Sequence, residues 1–203
     1  WKNAENALRQ IAQERGADSF EASGEAALYG PKLDFLATDS IGRQHQVATI
    51  QLDLNLPERF DLSCVNEKGE HERVVMIHSA IMGSIERFTA VLLEHLAGVL
   101  PLWLSPVQAR VLPVSEKHNA YADEVFAALR TASIRADVDY ANESLGKKIR
   151  NAKTEKIFYL LVVGDKEVEA KTISVESRDA GKLDITSVTD FITKANEEIH
   201  LRK

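Results

Sequence analysis

Residues 157–163 read Ile-Phe-Tyr-Leu-Leu-Val-Val, an unbroken apolar run rich in β-branched and aromatic side chains. A strand with one face in water alternates apolar and polar residues, so a run without alternation fits a strand covered on both faces. Helices must then lie above and below its sheet, and the flanking text supplies them. From Pro106 the order reads strand (107–114), helix (119–133), strand (134–140), helix (144–154), the apolar strand (157–163), strand (171–177) and helix (186–201). Strands alternating with helices imply parallel β-α-β units with right-handed crossovers, here closed by an antiparallel edge strand. The expectation for residues 105–203 is a three-layer α/β domain around a mixed five-stranded sheet, four of whose strands are assigned to residues here.

The first half is written differently. Ala4, Ala7, Leu8 and Ile11 stand at helical spacing, and Arg15-Gly16 ends that helix. Alternating runs at 32–38 and 46–54, separated by a polar turn with Gly42, predict an antiparallel hairpin. A loop at 66–72 and a short strand at 73–77 lead into His78, and Ile81, Ile85, Phe88, Val91, Leu92 and Leu96 predict a helix over 79–98. The segment Leu100-Pro101-Leu102-Trp103-Leu104-Ser105-Pro106 breaks both patterns and sets a boundary. An α+β portion at 1–104 followed by the α/β domain at 105–203 is the organisation expected, with the apolar boundary packed against its neighbours.

Charge divides along the same line. Residues 1–104 carry 9 Lys/Arg and 15 Asp/Glu, whereas residues 105–203 carry 16 of each. The net charge of −6 excludes a protein that coats nucleic acid indiscriminately, since such binding needs a broad cationic surface. Lys147, Lys148, Arg150, Lys153 and Lys156 nevertheless crowd together. The lone cysteine, Cys64, permits no internal disulfide and reads as structural. No run approaches the ~20 apolar residues of a membrane helix and no leader pattern is visible, so a cytoplasmic protein without membrane contact is expected.

Four short segments carry a resemblance: Tyr29-Gly30-Pro31-Lys32; Gln46-x-x-Thr49-x-Gln51-Leu52-Asp53; Met76-Ile77-His78; and Gly83-Ser84-Ile85-Glu86-Arg87-Phe88. In this order and spacing they resemble the late active-site segments of threonyl-tRNA synthetases, the last being similar to motif 3 of the class II enzymes. Such enzymes use ATP with Mg²⁺ to activate L-threonine and pass it to threonine tRNA, and work as homodimers. The chemistry displaces pyrophosphate from an α-phosphate, so the protein positions the partners and neutralises spreading charge. The resemblance implies catalytic roles for Lys32 and Arg87, with a guanidinium at 87 giving the planar contact to phosphate that lysine lacks. Tyr29, Gln46, Thr49, Gln51 and Ser84 are implied in contacts to threonine and ATP. By alternation, Thr49 and Gln51 share one strand face, with Gln46 at the rim of the same pocket.

His78 resembles a zinc ligand of this family. A Lewis-acid metal that binds the threonine hydroxyl separates threonine from valine, which an apolar pocket does poorly. The family's other ligands, a cysteine and a second histidine, belong upstream of Tyr29 and have no counterpart here; Cys64 is out of register. One ligand of three makes zinc binding by this chain alone an unfavourable expectation. Motifs 1 and 2 and an editing domain have no counterpart either, so the chain on its own is expected to be inactive.

In the second half, Asn142-Glu143-Ser144-Leu145-Gly146-Lys147-Lys148-Ile149-Arg150 and Gly164-Asp165-Lys166-Glu167-Val168-Glu169 resemble the anticodon-approaching segments of class II anticodon-binding domains. Asn142 and Glu167 are implied as readers of base edges, and Lys147 as a backbone contact. Glu176 stands where relatives often carry arginine, leaving Arg178 as the candidate for that base. The rival reading is a stand-alone module that binds an anticodon stem-loop without catalysis; a plain interaction domain would make every matched segment a coincidence.

Overall fold

The computed structural model describes residues 1–202, and the chain divides into two compact units, Trp1–Leu92 and Leu93–Lys203. In the first, helix α1 (Lys2–Glu14) precedes strands β1 (Lys32–Thr38) and β2 (Gln44–Asp53), and the single turn α2 (Leu56–Arg59) follows. A small hairpin of β3 (Ser63–Val65) and β4 (His71–Arg73) leads to β5 (Met76–Ile81) and then helix α3 (Ile85–His95). The main sheet runs β1-β2-β5, all antiparallel.

Two sequence expectations need correction here. His78 lies in the middle of β5, which continues to Ile81, so the strand expected at 73–77 starts later and the helix expected from 79 starts at Ile85. The three- and four-residue intervals that suggested a helix include Ile81, which is a strand residue facing outward, 78% exposed. The chain turns between them at Met82 and Gly83, both with positive φ (72° and 60°). That conformation costs a side chain about 1 kcal/mol or more and stops either element.

The second unit realises the α/β expectation. Strands β6 (Ala109–Pro113), β7 (Ala136–Val138), β8 (Tyr159–Val163), β9 (Thr172–Ser177) and β10 (Gly181–Ser187) form one sheet in the order β10-β9-β8-β6-β7. β6 pairs in parallel with β7 and β8, while β9 and β10 are antiparallel additions. Helices α4 (Asn119–Thr131), α5 (Leu145–Thr154), α6 (Asp165–Ala170) and α7 (Val188–His200) complete it. Tyr159, Leu161 and Val163 of β8 join a core with Val125, Leu129 and Phe191 of α4 and α7. Leu160 and Val162 face the other way, onto Ala152 and Ile149 of α5. Successive strand side chains point to opposite faces, so two cores explain why the run 157–163 lacks polar alternation.

The sequence patterns assign no residues to β10 or α6. β10 lies at the sheet edge with Ile185 60% exposed, so it shows no apolar pattern. The chain before the second sheet also packs on it. Leu102 is 1% exposed within the larger core, and Gln108 donates to the Leu102 carbonyl (3.0 Å). Arg135 donates to the carbonyls of Ser105 (3.0 Å) and Trp103 (2.8 Å).

Candidate functional site

In the first unit the register decides which side chains meet. Lys32 and His78 both lie opposite Gln51, and Asp34 and Ala80 both lie opposite Thr49. One face of the sheet therefore carries Lys32, Asp34, Thr49, Gln51, Asp53 and His78. Strict alternation would send Gln46 to the other face, since it is an odd number of residues from Thr49. A bulge between Phe35 and Leu36, where Ala48 and Gln46 face consecutive residues of β1, inserts Val47 and restores Gln46 to the polar face. There its amide donates to Asp34 Oδ1 at 2.9 Å. Lys32 Nζ reaches Asp34 Oδ2 at 2.5 Å, so one carboxylate holds both predicted side chains.

Tyr29 enters from the preceding turn, and its hydroxyl donates to Gln51 Oε1 at 2.5 Å with its ring 5.3 Å from that of His78. Gly30 makes this approach feasible: a Cβ there would lie 1.7 Å from the Leu52 carbonyl oxygen. Thr49 is 8% exposed, and its hydroxyl is the one buried side-chain polar atom without a hydrogen-bond partner among the described residues. A buried hydroxyl left unmatched costs about 1–3 kcal/mol, which a polar ligand on this face would relieve.

His78 Nε2 lies 2.7 Å from Asp53 Oδ2, and the other Asp53 oxygen accepts the backbone N–H groups of Asn55 and Leu56, both at 2.9 Å. Burial pushes the Asp53 carboxyl up, but these three donors outweigh it and hold it below the ordinary carboxylate value. An ionised Asp53 accepts from Nε2–H, which leaves Nδ1 of His78 with its lone pair free for a ligand. A carboxylate behind a histidine is the usual support of a zinc-ligating imidazole. Among the described residues no three His, Cys, Asp or Glu side chains cluster, so His78 fits as one donor with its support, and the remaining donors of a zinc site are not among these residues.

The Met82-Gly83 turn runs beside Gln46, whose carbonyl oxygen would sit 2.9 Å from a Cβ at Gly83. It delivers Ser84 at the start of α3, where Ser84 Oγ donates to Glu86 (2.7 Å), an arrangement that lowers the Glu86 carboxyl. Arg87 is exposed, and its guanidinium has no protein partner among the described residues, so it is available to an anion.

In the second unit a groove of about 410 Å³ opens between the loops that follow β6 and β7. Asn142, Tyr140, Asn119, Ser115 and Lys148 line it. The carboxyl ends of strands in open α/β sheets are where ligands usually bind. His118 ties the loop after β6 to the segment after β8: Ser115 N–H donates to its Nδ1 (3.1 Å), and its Nε2 meets Asp165 Oδ1 (3.1 Å). Lys117 also meets Asp165, at 2.7 Å. Glu167 follows in α6, accepting from Gly164 N–H (3.0 Å) and from Ser174 Oγ (2.7 Å). Burial pushes this carboxyl up and those bonds more than reverse it, so it stays below the ordinary glutamate value.

Lys147 is paired with Glu143 at 2.5 Å on the exposed start of α5. Arg178 lies elsewhere. β9 runs antiparallel to β8, so its last residues return to the amino end of β8, where Arg178 N–H bonds the Phe158 carbonyl. Its guanidinium donates to Leu100 O (2.9 Å), meets Asp179 (2.8 Å) and stacks 4.6 Å from the Phe158 ring. The sheet thus brings Asn142, Lys147 and Glu167 toward one end and places Arg178 at the other. Glu176 pairs with Lys153 at 2.5 Å. Sequence reasoning did not name Asp34, and it named Asp53 and Lys148 without giving either a role; the register pairing Asp34 with Thr49 and Gln51 with His78 is the signal that would have found the first two.

Residues 1–96 match the family described as tRNA synthetase class II core domain (G, H, P, S and T), and residues 108–198 match the anticodon binding domain. Curated relatives include the threonine–tRNA ligases of Acetivibrio thermocellus, 48% identical over 98% of this chain, and Symbiobacterium thermophilum, 49% identical over the same share. The chain spans about 31% of the length of each. A solved structure of the RNA binding domain of threonyl-tRNA synthetase from Cryptosporidium parvum is similar with a TM-score of 0.86 and 40% identity, covering 97% of this chain and 50% of that one. A putative threonyl-tRNA synthetase from Aeropyrum pernix aligns with a TM-score of 0.65 and 31% identity, over 100% of this chain and 49% of the other. No helix among the described residues is long and apolar enough to cross a membrane. With both halves matched in order and relatives of one kind, the chain is similar over nearly its whole length to part of the threonyl-tRNA synthetases, class II aminoacyl-tRNA synthetases.

Proposed function

We propose that this chain serves ATP-dependent joining of L-threonine to its tRNA, with the first unit contributing part of the amino acid and ATP site and the second reading the anticodon. The observation that carries the reading is the convergence of Tyr29, Lys32, Gln46, Thr49, Gln51 and His78 on one sheet face, with a buried Thr49 hydroxyl unmatched. Tyr29 and Gln51 would orient the threonine amino group, and His78 would be one ligand of a zinc ion that supplies Lewis acidity toward the substrate hydroxyl. Arg87 would neutralise the phosphates of ATP with Mg²⁺, and Lys32, released from Asp34, would join it. Asn142 and Glu167 would meet base edges, with Lys147 on the RNA backbone. Homodimers in the cytoplasm complete the proposal.

Filter binding of the whole chain to threonine tRNA and to the same tRNA with an altered anticodon tests the RNA half at fixed salt. A preference of tenfold or more, about 1.4 kcal/mol, is expected; equal weak binding to both would remove it. A second reading, an RNA-binding module that acts without catalysis, is favoured by the likeness to a solved RNA binding domain that covers nearly this whole chain. Arg87→Ala separates the two. In the complete ligase it should slow threonine activation by about 10²–10³, and an unchanged rate would favour the module.

A further inference from the structure

Lys148 is the unusual cation of the second unit. It is 3% exposed, yet no carboxylate pairs with it among the described residues. Its Nζ donates instead to two carbonyls, Pro113 at the end of β6 (3.0 Å) and Asp139 just after β7 (2.9 Å). An ammonium has three donors, so one remains, and Lys148 lines the groove between those same two strand ends. The other lysine lining the groove, Lys117, is spent on Asp165, and the neighbouring Lys147 on Glu143. Of the groove's acids, Glu143 is neutralised by Lys147, and Glu116 is exposed, where solvent and salt screen it.

Burying a charge is costly unless it is paired, and two carbonyl dipoles satisfy the hydrogen bonds without cancelling the charge. We infer that Lys148 is a phosphate-binding residue, its third N–H directed at a phosphodiester oxygen of the RNA strand whose bases enter this end of the sheet. This rests on the anticodon reading and deepens it, giving the groove a fixed anchor around which Asn142 can meet a base. A lysine pinned by two carbonyls loses little side-chain freedom on binding, whereas an exposed lysine must give up rotamer freedom to hold a phosphate.

The test compares the whole chain with Lys148→Met and Lys148→Gln, the second keeping two N–H donors for the Pro113 and Asp139 carbonyls without the charge. The dissociation constant for an anticodon stem-loop is measured across about 50–200 mM salt, with melting curves to establish that each variant is folded. Loss of one phosphate contact should weaken binding about tenfold and make the slope of log K against log salt shallower by about 0.7. Lys148→Arg, which keeps the charge, should keep the slope. Unchanged affinity in both neutral variants would overturn the assignment. So would weaker binding with an unchanged slope, the mark of a lysine that only staples the strands. Wild-type binding that ignores anticodon sequence would instead defeat the anticodon reading and leave the slope comparison decisive, whereas no RNA binding at all would remove both.

Discussion

Asp53 sets the tautomer of the neutral His78 ring. Its carboxylate accepts from Nε2–H while two backbone N–H groups hold the other oxygen. In Asp53→Asn the amide oxygen keeps the backbone bonds and turns an N–H toward Nε2, so the imidazole must move its proton to Nδ1. In the neutral ring, ¹⁵N shifts of His78 should report the Nε2–H tautomer in the wild type and Nδ1–H in the variant. The same tautomer in both would disprove the arrangement. Stability follows the same carboxylate. Its value is lowered on folding, so its contribution is complete above the ordinary carboxylate value of about 3.9 and vanishes as pH falls through the folded value. Urea midpoints of the wild type should therefore drop below about pH 4, and that part of the drop should be missing in Asp53→Asn. Sequence reasoning reached His78 through its motif but not Asp53, because the partnership depends on a strand register that pairs Asp53 with Met76 and sets His78 on its diagonal.

At the scale of elements, β8 was legible because both its faces are covered, and β10 was not because one face meets solvent. The same contrast sets the energetics. Leu161→Ala empties a site with no exposure in the larger core and should cost about 2–5 kcal/mol. Ile185→Ser, on β10, should stay within about 0.5 kcal/mol. Chemical denaturation of both variants checks this, and comparable losses would mean that β10 is covered in solution. The bulge at Val47 is another element-level feature hidden from the text, because alternation is visible in a sequence and its interruption by one residue is not. The first unit was read less completely overall. Its sheet leaves Phe35, Ile77 and Ile81 substantially exposed, so apolar residues there do not mark a single buried face. The α/β unit has a core on each side of its sheet, and its periodicities match its burial.

For the molecule as a whole, the segment that reads as a boundary is built into the second unit. Leu102 enters the core, and the carbonyls of Leu100, Trp103 and Ser105 receive Arg178 and Arg135. Arg178, expected from the resemblance to face RNA, spends its guanidinium here; a role in holding chain to chain leaves no trace in spacing. A chain starting at residue 93 should therefore unfold at higher urea than one starting at 107. Loss of the Leu102 side chain alone accounts for about 2–5 kcal/mol, and Gln108 and Arg135 lose their acceptors besides. Equal midpoints would show that the segment adds nothing.

The groove walls at the strand ends differ from everything beneath them. Asn142 and Tyr140 project from loops that take no part in either core. Lys148 is anchored in the framework below by main-chain oxygens, whose positions do not depend on which side chains neighbouring residues carry. Mutation can thus rewrite the loop residues without endangering the fold, while the anchor stays where it is. Under the anticodon reading proposed above, such a division would let descendants of one ancestral scaffold drift toward different nucleotide triplets, and it would give an engineer a short, expendable stretch of chain on which to select new ones.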